Sequence, residues 1–319
     1  MNYLKYLNII IKAKINKKIQ LKYIRINKNY KSVLIRNYGE LYLAYFYNNV
    51  WIRIDKYLAQ DKKVLLKVVS YLIKQNKKIY LVEEVKAFTD EDIKYLYSLS
   101  GNIFIKQMYM DKSKALAGNQ ILLTDISSYM LILEKLDYFE KVCNKYFKTD
   151  FDKALFTIVE LSDYVTYQLP STKETSCLTN ALLLKYGVCI DFSIALWKCL
   201  ERLNIECLII KGLGNENNVR NKLLLFNHAW NQVKIDNKWY NIDLTWLNTL
   251  KETKYLFAND DIFYSEGRHK TRFETKTCLE NINQDDIKEK IEEIRKFMNV
   301  FEQYDNGNKE TELINKQNI

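Results

Sequence analysis

The stretch "HAWNQVKIDNKWYNIDLTW", from His228 to Trp246, leaves the chain few ways to fold. Two runs of strand-forming residues flank Asp236-Asn237, and both of those residues tolerate positive φ, so a two-residue hairpin loop is expected. With that loop Ile235 faces Lys238, His228 faces Thr245 and Trp230 faces Asp243. Side chains two positions apart share a face of a strand. His228 and Asp243 therefore fall on one face as diagonal neighbours, their Cα atoms roughly 7–8 Å apart. Trp230 falls on that face as well and is expected to wall it against water, while Trp246 falls on the other face and into the core. A three-residue loop would put the His and the Asp on opposite faces unless a bulge compensated.

An imidazole that can reach a carboxylate is equipped to move a proton for a nucleophile. The chain has only two histidines and six cysteines. One cysteine stands out, in "KYGVCIDFSIALWKCLERL". There Tyr186-Gly187 reads as a turn giving way to an amphipathic helix, with Phe192, Ala195, Leu196, Cys199, Leu200 and Leu203 as its apolar stripe. Cys189 opens that helix, where the positive end of the macrodipole and the backbone N–H groups stabilise a thiolate and the oxyanion of an attacked carbonyl. Cys177, Cys199 and Cys207 read as core thiols. His269, in "YSEGRHKTR", reads as a surface-loop residue.

The remaining cysteines form no Cys-x-x-Cys pair and show no metal-ligand spacing with histidine, which suits free thiols in a reducing cytoplasm. The N-terminus lacks a cleavage signal, and no stretch approaches the ~20 apolar residues needed to span a bilayer. The net charge of +10 is unevenly placed: residues 1–100 hold 20 basic and 8 acidic side chains, and the first acidic residue is Glu40. A lysine-rich solvated face accounts for this excess; a docking surface for an acidic partner is the alternative, and nucleic acid is not the partner expected.

The first ~110 residues alternate strand-like runs ("QLKYIRI", "ELYLAYFYNNVWIRI", "KIYLVEEV", "NIFIKQM") with helical spacing in "KKVLLKVVSYLIKQ" and "DEDIKYLYSLS". Lys78 to Met108 fits a right-handed βαβ unit. From Thr124 the pattern is helical, through "SSYMLILEKLDYFEKVCNKYF" and "TDFDKALFTIVELSDYVTYQL", the latter with Thr149 or Asp150 as N-cap. The Cys189 helix ends at Asn204, which tolerates a left-handed cap. Strands follow at "IECLIIKG", "HAWNQVKI" and "KWYNIDLTW".

The run from Tyr186 to Trp246 resembles the core of the transglutaminase-like superfamily, which also includes peptide N-glycanases and many bacterial proteins of unassigned substrate. Its landmarks stand here as Gly-x-Cys at a helix start, a Leu-rich helix, a strand ending in Gly, His-Ala-Trp-Asn, and Trp-Tyr-x-x-Asp-x-Thr-Trp. "YLFANDDIFYSEGRH" resembles the segment that follows in the family, with its trailing His. The resemblance covers about residues 125–275. It implies a papain-like triad of Cys189 as nucleophile, His228 as base and Asp243 as orienting group.

There are departures. Asp191 stands where many members have Gly, and Asn204 replaces a C-cap Gly. Leu183 stands where papain-like proteases keep an oxyanion glutamine, so Cys189 N–H is the only oxyanion donor named.

The fold class expected is α+β: a papain-like core over residues 121–280, its helices carrying the Cys and packed on an antiparallel sheet carrying the His and Asp. A basic α/β region (1–120) precedes it, and a charged helix with a disordered tail (281–319) follows. The resemblance implies a thiol-dependent acyl-transfer enzyme acting on amide bonds of a protein or peptide through a thioester, by transamidation, deamidation or hydrolysis. A cysteine peptidase and a non-enzymatic scaffold that retains the fold are the alternatives. No cofactor and no metal is expected, since no calcium-site spacing is present.

Overall fold

A computed structural model describes residues 42–46, 49–54, 66, 69–70, 72–74, 76–83, 88–99, 101–108, 120–169, 178–214, 228–271 and 274–299. The basic run up to Arg36, the strand expected at Gln20–Ile26, Cys177 and the tail from Asn306 lie outside these residues. The chain divides into two units, residues 1–137 with 170–185, and residues 138–169 with 186–319.

The first unit holds a five-stranded sheet of β1 (Tyr42–Phe46), β2 (Asn49–Ile54), β3 (Lys78–Glu83), β4 (Ile103–Met108) and β5 (Gln120–Asp125), in that order. β2, β3 and β4 run parallel, and α1 (Asp90–Ser98) joins β3 to β4 as the βαβ pattern predicts. A reciprocal cap starts α1: Thr89 Oγ1 accepts the Asp92 N–H, and the Asp92 carboxylate accepts the Thr89 N–H. Strand alternation sends Ile79, Leu81, Ile103 and Ile105 into the core, where Ile93 and Leu96 of α1 are also buried. The helical pattern expected from Thr124 begins later. β5 runs to Asp125, whose carboxylate accepts the Ser128 N–H and so caps α2 (Ile126–Tyr146).

The second unit is the α+β part that positions the site. It comprises α3 (Asp150–Tyr164), β6 (Thr166–Tyr167), β7 (Tyr186–Gly187), α4 (Cys189–Arg202), β8 (Cys207–Gly214), β9 (His228–Ile235) and β10 (Lys238–Ile242). After these come α5 (Leu244–Leu250), α6 (Asp260–Phe263), β11 (His269–Lys270) and α7 (284–299). Thr149 caps α3, accepting the Asp152 N–H at 3.0 Å. Asn204 takes the left-handed conformation after α4, with φ 59°. Tyr186-Gly187 is not a turn: it pairs in parallel with β6, and the left-handed residue is Lys185.

The four-stranded sheet of this unit has the order β10-β9-β8-β11. Asp236 and Asn237 both have positive φ, and Ile235 pairs with Lys238, the register the two-residue loop dictates. That ladder ends sooner than the sequence pattern suggests. Ile242 is its last residue, and Leu244–Leu250 is a helix where a continued strand was expected. The cause is Asp243, whose Oδ1 accepts the Trp246 N–H at 3.0 Å and so caps a helix at the point where the strand would go on.

β9 is buried on both faces. Asn231, on the face toward α4, donates to the Ser193 carbonyl at 3.0 Å and to the Leu208 carbonyl at 3.3 Å. Trp230, on the other face, packs in a cluster with Ile210, Trp246, Tyr255, Ala258 and Phe263. α7 is tied to α3 by Lys290–Asp152 and by a two-pronged Arg295–Asp163 pair, with Phe297 against Phe147 and Phe156.

Asn231 is fully buried and its amide bridges the helix that carries Cys189 to the sheet that carries His228. Asn231→Ala is expected to cost about 1–3 kcal/mol, the range for stranding buried acceptors. Chemical denaturation against the parent protein measures it.

Candidate active site

Each side chain of the site is delivered by a different local device. Cys189 is the first residue of α4, after the β7 strand. The helix start is fixed by Asp191, whose carboxylate accepts the Val188 N–H at 2.7 Å. Gly187 makes room for it, since a Cβ there would stand 2.5 Å from the Asp191 Cβ. Among the described cysteines Cys189 alone is not buried.

His228 opens β9 and Asp243 follows β10. They meet, His228 Nε2 to Asp243 Oδ2, at 2.6 Å. The His228 ring also hydrogen-bonds the Cys189 side chain; with Nε2 held by the carboxylate, Nδ1 is the nitrogen left for the thiol. Gly214 of β8 gives the imidazole its space, because a Cβ there would lie 2.8 Å from His228 Cγ. Burial opposes charge on this ring, but the charge and hydrogen bond of Asp243, with the Cys189 side chain, lift its pKa to about 10. Burial would raise the Asp243 pKa in turn, yet His228 and His269 hold it well below the usual carboxylate range.

The tryptophans depart from the sequence expectation. Read as one long strand, the sequence puts Trp230 and Trp246 on opposite faces. Because α5 turns the chain at Asp243, both are fully buried in one cluster, and it is Trp246 that stacks on His228, centroids 5.5 Å apart.

His269 is the larger correction. Expected on a surface loop, it is wholly buried, with Nε2 2.8 Å from Asp243 Oδ2 and Nδ1 3.1 Å from the Phe263 carbonyl oxygen. The two-residue strand β11, pairing His269 with Gly214, carries it there. No periodicity marks so short a strand; the one signal was the trailing His of the segment that resembles the family.

His228, Asp243 and His269 form a donor set of the kind that ligates metals, with ligand atoms within 4.8 Å of one another. Both imidazole nitrogens lie at hydrogen-bond distance from one oxygen, 2.6 and 2.8 Å. Tetrahedral zinc ligands at about 2.0–2.1 Å would stand roughly 3.3 Å apart. The spacing fits shared protons, and a metal would have to spread the three groups.

Residues 141–244 match the family model of the transglutaminase-like superfamily. Over this segment the chain is similar to that superfamily, and its mixed helix and sheet accord with an α+β papain-like core. None of the curated proteins compared matches the chain. Among solved structures it is similar to a provisionally assigned cysteine protease from Cytophaga hutchinsonii, at 24% identity over 38% of this chain and 39% of that one, TM-score 0.29. It is also similar to a provisionally assigned protease from Parabacteroides distasonis, at 9% identity over 44% and 39%, TM-score 0.27. A third is a TGase, at 14% identity over 53% and 51%, TM-score 0.28. The chain thus spans between 39% and 51% of the length of these structures. No helix among the described residues is long and apolar enough to cross a membrane.

The two shifts set a pH window for stability. Asp243, depressed in the fold from 3.8, contributes stability that is present above that pH and lost below it. His228, raised from 6.5 to about 10, contributes stability that is full below 6.5 and lost as pH rises toward 10. The difference in Tm between the parent and Asp243→Asn should therefore be widest between about pH 4 and 6.5 and shrink toward pH 10. Thermal melts of the two proteins across that range check it.

Proposed function

We propose that this protein is a thiol-dependent acyl-transfer enzyme acting on amide bonds of a protein or peptide, with Cys189 as nucleophile, His228 as general base and acid, and Asp243 as the group that orients His228. The superfamily match supports a cysteine-dependent enzyme in general. The observation that carries the finer reading is the chain of contacts from the half-buried Cys189 through His228 to the buried Asp243.

In this reading His228, its pKa raised to about 10, already carries the thiol's proton as Cys189 Sγ adds to the amide carbonyl carbon, pushing the carbonyl electron pair onto oxygen. The Cys189 N–H, in the first turn of α4, is the donor named for that oxyanion. As the tetrahedral centre collapses, the C–N bond breaks and His228 returns its proton to the departing nitrogen. A thioester remains on Cys189. Water then gives the acid, and an amine gives a new amide, with His228 taking the acceptor's proton. Asp243 stays ionised throughout and keeps Nε2–H of His228 pointed away from the thiol. Trp246, stacked on the imidazole, and Trp230, its ring centroid 6.1 Å from that of His228, keep water from the His228–Asp243 bond.

The test has two parts. Iodoacetamide near neutral pH should label Cys189 at least about tenfold faster than the buried Cys143, Cys199, Cys207 and Cys278, read by peptide mass spectrometry. Incubation with a library of peptide amides and esters should leave an acyl adduct on Cys189. Turnover of any substrate so found should fall roughly 10³-fold or more in Cys189→Ala and His228→Ala. No adduct on Cys189, together with labelling no faster than the buried thiols, would sink the proposal.

A further inference from the structure

His269 has no part in the acyl-transfer steps, yet much of the local fold converges on it. Its ring is wholly buried and packed by Phe263 at 3.9 Å, Trp246 at 4.1 Å, Tyr255 at 5.0 Å and Trp230 at 5.2 Å between centroids. Its partner in the sheet is Gly214, the residue whose missing side chain makes room for His228. Its Nε2 shares Asp243 Oδ2 with His228.

We propose that His269 is a positioning residue for the Cys189–His228 pair, donating Nε2–H to Asp243 so that the carboxylate is locked in the plane that aligns the His228 ring. The proposal rests on the acyl-transfer reading of Cys189. A carboxylate held only by the Trp246 N–H at Oδ1 and by His228 at Oδ2 could swing with the very ring it is meant to orient. A second imidazole on Oδ2, rigid in its aromatic box, removes that freedom.

The proton count supports the direction of the bond. The Phe263 carbonyl can only accept, and the Asp243 carboxylate, held ionised, also accepts. Burial opposes a charge on His269, so on losing its cation the ring keeps one proton. The carboxylate at 2.8 Å is the nearer and stronger acceptor than the carbonyl at 3.1 Å, so that proton stays on Nε2. The titratable groups facing the ring are Asp243, His228 and Tyr255; Arg268 sits over the Trp246 ring and Lys270 follows in the chain. Titration of His269 thus leaves its bond to Asp243 in place.

Because the chain has only two histidines, ¹⁵N-histidine labelling of the full protein gives an uncrowded NMR spectrum. The expected result is a proton on His269 Nε2 throughout about pH 5 to 9. A bare Nε2 above neutral pH overturns the proposal.

The second arm is the pH profile of Cys189 alkylation in the parent, His269→Gln and His269→Asn. Gln places an amide donor near Nε2, and Asn places one near Nδ1. With the donor to Asp243 gone, the carboxylate protonates at higher pH and the His228 imidazolium loses its counter-charge sooner. The acid limb in His269→Asn should move up by about one pH unit, the worth of a charge-assisted hydrogen bond, while His269→Gln stays near the parent. Circular dichroism confirms folding; if the variants do not fold, the NMR arm decides alone. An Asn variant that matches the parent, or a Gln variant that matches Asn, overturns this proposal but leaves the acyl-transfer reading standing. A parent whose Cys189 reacts no faster than its buried thiols overturns both.

Discussion

The arrangement around the site depends on a carboxylate with no exposed surface. Removing an ion from water costs several kcal/mol, and the cost is met only if hydrogen bonds replace the lost solvation. Asp243 meets it with three donors: the Trp246 N–H at Oδ1, and the Nε2 atoms of His228 and His269 at Oδ2. Its own N–H is anchored on the Tyr255 carbonyl at 3.0 Å. Each donor imposes something on the chain. Capping by Oδ1 ends β10 and begins α5. Bonding at Oδ2 requires one histidine at the start of β9 and the other on a two-residue strand along β8. The aromatic cluster of Trp230, Trp246, Tyr255 and Phe263 surrounds these bonds and keeps water from competing for them.

The thiol side is built with different means. α4 opens with a carboxylate two residues after Cys189, and Asp191 folds back on the Val188 N–H instead of pointing outward. That explains why Asp is compatible here with a position that is often Gly in the family the segment resembles: the side chain is consumed as a cap, and it is Gly187, opposite, that must lack a Cβ. Asn231 then fixes α4 against β9 through the Ser193 carbonyl. Helix and strand are thereby held relative to one another by a buried amide on one face of β9. The His228–Asp243 bond lies on the other face.

Local rules made part of this legible. The Asp236-Asn237 loop fixed the hairpin register, and residue parity then brought His228 to Asp243 without any tertiary information. The Thr149 cap and the Asn204 stop follow from cap chemistry of the same short range, and the parallel β3–α1–β4 unit from the alternation of strand and helix spacing. What the sequence concealed was decided by competition between equally good local signals. "KWYNIDLTW" reads as a strand to its last residue, yet Asp243 is also a strong N-cap, and the cap prevailed because the same carboxylate is needed by two histidines. His269 was hidden for another reason. Two residues of strand carry no period, and the burial of its ring is produced by residues 228–263, which no window around position 269 contains.

Burial also sorts the thiols. Burial pushes Cys143 up to about 11 and, with Asp260 beside it, Cys278 up to about 12; Cys207 is raised further, and Cys199 has no exposed surface. A thiol so placed is held in its unreactive form, since only the thiolate is an effective nucleophile. Among the described cysteines, then, Cys189 is set apart as much by the burial of the others as by its own surroundings. The core withdraws the competing sulfurs, and the helix start leaves one partly accessible beside an imidazole. The same division applies to the histidines. His228 is buried but keeps 8% of its surface, His269 is sealed among aromatic side chains with none, and the two rings meet at one carboxylate oxygen.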